Sequence, residues 1–296
     1  MIGRAAVVAI PRAAVVAILL TAAPAAAQAQ AARPCRDEAA ALVKQVRAAT
    51  ARYADVDVAI ADGYRRVGHD FPAMGEHWIN LREAAADRFD SARPQILLYI
   101  ENGGRRTIAG AAFLAIQDPG EAMPGPAILH GAWHEHSGTL DDELFAVGHA
   151  PGRPSDEMRV LVLHVWTRWT AEGSEFDVEN WRLPFHREGL SPPERLDLAA
   201  ARALSLPAAA DYYTAALRRL GATDTERLRA LVEGRAREVR AVVDRRRDAR
   251  RLSPVELDAL GTTWHRLMDD VGRAWPAAAP HLPQLVRMPH GSGVCS

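Results

Sequence analysis

Apolar residues recur at helical spacing over residues 36–66. Leu42, Val43, Val46, Tyr53, Ile60 and Tyr64 fall among charged and alanine positions, and Gly63 and Gly68 punctuate the end. The pattern predicts a helix there. Over residues 69–186 turn formers multiply and the apolar runs shorten into β-rich stretches at Gln95–Ile100, Thr107–Ile116 and Met158–Thr167. Asn102-Gly103-Gly104 between the first two is a hairpin signal, because these residues tolerate positive φ. Residues 191–275 return to helical periodicity. Ser191-Pro192-Pro193-Glu194, Thr223-Asp224-Thr225-Glu226 and Ser253-Pro254-Val255-Glu256 each have capping-box spacing, two of them with proline at the first helical position. Leu228, Leu231, Val232, Val239, Val242 and Val243 then form a stripe beside an Arg-rich face, read as a solvated helix surface. The expected fold class is α+β: an N-terminal helix, a mainly antiparallel β-rich central domain and a helical C-terminal region.

The first 29 residues read as a leader instead of as fold. Arg4 and Arg12 precede the short apolar run Ala13 to Leu20, and Ala25-Ala26-Ala27 offers small-residue cleavage sites. The run is too short to span a membrane, and no later segment reaches spanning length. The expected organisation is a signal peptide at 1–29, an α+β domain at 30–190 and a helical region at 191–296, with the mature chain periplasmic or secreted. Export would put Cys35 and Cys295, the two cysteines of the chain, where a disulfide could tie its ends together. With 36 Lys+Arg against 37 Asp+Glu, the chain lacks the basic excess of a nucleic-acid-coating protein. Two cysteines cannot build a four-cysteine zinc site or an iron–sulfur cluster.

Histidine is what composition leaves unexplained. Eight of the eleven lie between His69 and His186, in the region that also holds Trp78, Trp133, Trp166, Trp169 and Trp181. Three motifs concentrate them: Met74-Gly75-Glu76-His77-Trp78, Trp133-His134-Glu135-His136 and Leu163-His164-Val165-Trp166. Residues two apart on a strand share a face, so His134 and His136 project together if extended, and His164 joins Val160, Val162 and Trp166. With His77 delivered from a loop, these residues would make a three- or four-nitrogen site for copper or zinc, since neutral imidazole suits both ions. Met74 could add a soft thioether, although packing is its commoner use. Glu76 and Glu135 would point to the opposite face from their histidine neighbours. Either could act as a general base or orient a ligand.

Other chemistries find little support. Gly-x-Ser-x-Gly, Walker-type, Gly-x-Gly-x-x-Gly and His-Glu-x-x-His motifs are absent from the sequence. Glu143, seven residues after His136, invites comparison with the His-x-His and Glu of a cupin, but the spacing is longer than usual and the second cupin motif is missing around His164. His69 and Asp70 fit a turn beside Phe71-Pro72, while His130, His149 and His186 read as loop residues.

Taken in series, Gly63-Tyr64, Met74-Gly75-Glu76-His77-Trp78, Arg93-Pro94 with Leu97-Leu98-Tyr99, Trp133-His134-Glu135-His136 and Leu163-His164-Val165-Trp166 resemble a group of exported bacterial proteins. These carry a Met-Gly-x-His segment, a Leu-Leu-Tyr strand and a late His-Val-Trp followed by a tail containing Asn and Phe. Glu175-Phe176 to Asn180 is similar to that tail, without its usual Asn-Pro. The resemblance covers about residues 60–185 and implies a secreted α+β domain with a His-lined site, but no named reaction. Three readings stand at this point. The first is an exported protein that sequesters, delivers or senses copper or zinc through His77, His134, His136 and His164. The second is a metal-dependent hydrolase or oxidoreductase using the same cage with one open position, with Glu76 or Glu135 handling protons. The third is a metal-free module whose histidines and tryptophans line a small-ligand pocket. None involves nucleic acid, and the sequence leaves the oligomeric state open.

Overall fold

A computed structural model describes residues 23–86, 88–118, 120–136, 159–246, 248–286 and 294–295. Most of the expected leader, together with Glu143, His149 and Met158, lies outside them. The architecture is α+β. Among the described residues six strands form one sheet: β1 (Arg65–Phe71), β2 (Gly75–Ile79), β3 (Ile96–Asn102), β4 (Arg105–Gln117), β5 (His134–His136) and β6 (Arg159–Trp166). Their spatial order is β1-β2-β3-β4-β6-β5, and every neighbouring pair is antiparallel.

Helices cover both faces of this sheet. On one side lie α1 (Ala23–Thr50), a single turn at Ala51–Ala54 and α2 (Val56–Ala61). Leu42, Val43 and Val46 of α1 pack on Phe113, Leu161, Leu163 and Val165, while Tyr53, Ala59 and Tyr64 pack on Trp78, Leu97 and Tyr99. Between β2 and β3 is the one-turn α3 (Leu81–Ala84). The opposite face carries the C-terminal helices: α4 (Leu183–Arg187), α5 (Leu198–Ser205), α6 (Ala210–Arg219), α7 (Thr225–Asp244) and α8 (Pro254–Ala274). Their cluster joins Leu204, Tyr212, Leu217, Val239, Trp264 and Leu267 to Phe71, Ile96, Leu98, Val162 and Trp166 of the sheet. Burial on both faces explains why the central strands read as continuous apolar runs instead of as clean alternations.

Several elements end where local chemistry dictates. The helix expected over 36–66 stops at Thr50, whose hydroxyl turns back to donate to the Val46 carbonyl at 2.8 Å. A separate short helix then starts at Val56, capped by the Asp55 carboxylate, which accepts from the Asp57 N–H. Chain from Arg65 onward is strand. The Asn102–Arg105 hairpin turns through Gly103 and Gly104, both at positive φ, as their composition predicts.

The Ser253 capping box forms in full, with Pro254 at the first helical position. The cap of α7 is Asp224, one residue after the expected Thr223. No helix starts at Ser191. Pro193 disfavours helical backbone at Pro192, and α5 begins only after Asp197, whose carboxylate accepts from the Ala200 N–H.

Cys35 of α1 is disulfide-bonded to Cys295, 260 residues later, with their Cα atoms 5.6 Å apart. Val294 beside it packs against the α1 cluster. The bond fastens α1 to the C-terminal end of the chain on the same side of the sheet. No helix among the described residues is long and apolar enough to cross a membrane. Replacing both cysteines by serine should lower the unfolding free energy by about 2–5 kcal/mol, given the long loop that the bond closes. Urea unfolding of the oxidised protein and the double variant checks this.

Candidate functional site

The site is built on the sheet face that meets the C-terminal helices. Register places His77 opposite Leu98, Leu98 opposite Gly110 and Gly110 opposite Trp166. His164 lies opposite Ala112, two residues from Trp166, and His134 lies opposite Val162. His77, His134 and His164 therefore share one face, as the two-residue alternation predicts for His164 with Val162 and Trp166. Their ring centroids lie close together: 5.1 Å for His134–His164 and 6.0 Å for His77–His164. His77 and His164 come from strands three places apart, whose axes would be about 14 Å apart in a flat sheet. On this face β4 presents only Gly110 and Ala112 between them, which leaves space for the rings. Gly110 is also required by close approach, since a Cβ there would meet the Val165 carbonyl oxygen at 2.5 Å.

His77 and His164 are buried, at 8% and 2% exposure. Phe71 stands edge-on to His77 at 4.8 Å, and Trp166 lies 5.5 Å from His164. Nδ1 of His164 is 2.7 Å from the carbonyl oxygen of Val178. A carbonyl only accepts, so Nδ1 carries the proton, and in the neutral ring Nε2 carries the lone pair.

Two imidazoles sharing one zinc ion, with Zn–N bonds of about 2.1 Å, hold their centroids roughly 5–6 Å apart. The observed separations fall at that scale, and the donor set is of the type copper and zinc accept. Among the described residues, no three His, Cys, Asp or Glu side chains already stand in a coordinating arrangement. The backbone of β5 puts His136 opposite Val160 and Glu135 opposite Leu161. The side chains of both lie outside the described residues.

The remaining candidates are dispersed. Glu76 is on the other sheet face, as alternation requires. Its carboxylate accepts from Arg106 Nε at 2.6 Å and Trp78 Nε1 at 3.0 Å, and it pairs with Arg66. Burial works to raise this carboxyl, but the hydrogen bonds from Arg106 and Trp78 and the arginine charges outweigh it and hold it below the usual carboxylate range. Met74 is buried in the core shared with the C-terminal helices. After it, Gly75 has φ 78°, and a Cβ there would meet the Tyr99 carbonyl oxygen at 2.2 Å, so the Met-Gly-Glu-His segment admits no larger residue. His130 is exposed, and His69 lies in the bulge of β1. His186 stacks on Trp169 at 5.2 Å, and burial followed by the Arg182 charge pulls its pKa down.

Residues 175–180 stand out in the sequence only as part of a resembling tail, with nothing in it to mark their contacts to His164 and Trp166. The main-chain carbonyls of Glu175, Asp177 and Val178 accept from Trp166 N–H, Trp166 Nε1 and His164 Nδ1, and no side-chain pattern encodes such acceptors. Buried Asp70 was expected in a turn. It lies on β1 and accepts from Arg187 Nη2 of α4 at 2.8 Å. Its other oxygen, Oδ1, has no hydrogen-bond partner among the described residues.

No family model, curated protein or solved structure matches this chain.

Burial pushes the Asp70 carboxyl up to about 6, against the pull of Arg187. A carboxyl raised in the folded state adds stability that is complete below its unfolded value of about 4 and is lost as pH rises through about 6. Asp70→Asn mimics the protonated form and should flatten the pH dependence of the unfolding free energy across that window. An unchanged slope in the variant would refute the assignment.

Proposed function

We propose that this is an exported metal-binding protein that holds copper or zinc through His77, His134 and His164, with His136 as a fourth imidazole. Its role is sequestration, delivery or sensing of the ion. The observation that carries this reading is the convergence of three imidazoles from three strands on one buried face. The hydrogen bond from His164 to Val178 supports the reading further. Metal-bound histidines characteristically donate their second ring N–H to a carbonyl or carboxylate, which aims the other nitrogen at the ion.

Binding is favoured over catalysis by the surroundings. His77 and His164 sit beneath the helical layer among Phe71, Val162 and Trp166, an environment suited to retaining an ion more than to exchanging water at an open position. Glu76, the described carboxylate nearest in sequence, is committed to arginines on the far side of the sheet. Export is supported by the Cys35–Cys295 disulfide, a bond of oxidising compartments, and by the leader-like residues 1–29. Among the described side chains, those of α1 that pack on the sheet follow Cys35, beyond a cleavage near Ala27. The same reading groups the chain with the exported proteins its histidine segments resemble.

Protein recovered from the exported fraction should carry about one copper or zinc ion per chain by elemental analysis. The His134→Ala/His164→Ala variant should carry none while keeping its circular dichroism. Metal-free wild type after loading with either ion, or full retention in the variant, would sink the proposal.

A further inference from the structure

Asn180 sits where three parts of the site meet. It is buried, at 5% exposure, and uses both its main chain and its side chain. Its N–H donates to the Ala73 carbonyl at 2.9 Å, and its Nδ2 donates to the Trp169 carbonyl at 3.2 Å. Its Oδ1 accepts from the Arg182 N–H at 3.2 Å. Ala73 lies in the turn leading into β2, four residues before His77. Trp169 lies just beyond the end of β6, five residues after His164.

Those two acceptors have something else in common. Ala73 and Trp169 are both non-glycine residues at positive φ, 57° and 58°. This conformation is costly for residues with a Cβ and persists only where surrounding contacts over-determine it. Here the contacts include Asn180, which holds the carbonyl of each strained residue. Two such residues flanking the histidine strands and tied to one asparagine, Ala73 through its main-chain N–H and Trp169 through its side chain, mark a place where position has been fixed at a cost.

The chain just before Asn180 does the orienting. Trp166 N–H donates to the Glu175 carbonyl at 2.7 Å, Trp166 Nε1 to the Asp177 carbonyl at 2.7 Å and His164 Nδ1 to the Val178 carbonyl at 2.7 Å. The Val178 carbonyl can select the His164 tautomer only if the segment bearing it is held in place. Asn180 anchors one end of that segment and Trp166 the other.

We propose that Asn180 is a positioning residue for the imidazole site, clamping residues 175–181 between the Ala73 turn and the Trp169 loop so that the Val178 carbonyl keeps His164 in its Nδ1–H form with Nε2 facing its neighbours. The tautomer assignment is independent of any ion. The consequence for metal affinity rests on the metal-binding reading given above.

The experiment is a long-range nitrogen–proton NMR correlation of the histidine rings in the metal-free, disulfide-intact protein, followed by titration with zinc. Wild type should show His164 as the Nδ1–H tautomer. Asn180→Ala, which removes the bond to the Trp169 carbonyl and the acceptor for Arg182, should shift His164 toward a mixture of tautomers and weaken zinc binding by about 10–100-fold. Trp166→Phe keeps a ring while removing the bond to the Asp177 carbonyl. It should act in the same direction, and it decides the matter if Asn180→Ala fails to fold. A wild-type Nε2–H tautomer, or an unmoved tautomer in the folded variants, overturns the proposal. If zinc fails to bind wild type while the tautomer responds as expected, the clamp stands and the metal-binding reading falls.

Discussion

The antiparallel ladder between β4 and β6 is the constraint on which the rest of the structure depends. Its eight pairs run from Gly110–Trp166 to Gln117–Arg159. They fix which residues of β6 look toward α1 and which toward the C-terminal helices. Leu161, Leu163 and Val165 are buried under α1, while Val162, His164 and Trp166 belong to the other side. A slip of one residue would exchange the two sets, placing His164 against Leu42, Val43 and Val46 of α1 and Leu163 against the helical layer. The ladder also sets the distance between histidines, because β6 alone links the long strand β4 to the short β5. His134 is near His164 through the Val162 pairing and through nothing closer in sequence.

How much of this was legible in the sequence follows from what kind of interaction encodes each part. Periodicity and turn chemistry are local, so β3, β4, their hairpin and the Ser253 cap could be read directly. Strand alternation was equally legible at His164, where Val162 and Trp166 share its face. β1 and β2 were not seen as strands. Arg65 and Arg66 begin β1 and a bulge between Val67 and Asp70 breaks its alternation, while all five residues of β2 are buried, so neither displays a period of two. The two apparent caps that shifted or failed did so for local reasons: a second proline at Pro193 and a better-placed aspartate at Asp224.

The histidine set was visible as residue types, but its geometry was not. Sequence placed His77 in a loop, whereas it is central in a strand whose five residues are all buried. The carbonyl of Val178 could not have been singled out, because a main-chain acceptor has no residue-type signature. Asn180 was noticed only as part of a tail that resembles other exported proteins. What makes it matter, two left-handed residues accepting from the same asparagine, is a property of backbone dihedrals. The charged pairs divide similarly. Glu76 with Arg106 and Arg66 joins strands through neighbouring positions of the sheet, whereas Asp70 with Arg187 spans more than a hundred residues of sequence.

The disulfide between Cys35 and Cys295 makes almost the whole oxidised chain a covalent ring that contains the sheet and both of its helical layers. A ring has no free end to peel away. When α1 lifts from the sheet it remains tethered through the opposite end of the chain, and its return is an intramolecular search over a short distance. A single backbone cut between the two cysteines would open the ring without releasing either piece, so a nicked molecule would keep its full mass until a reductant separated it into fragments.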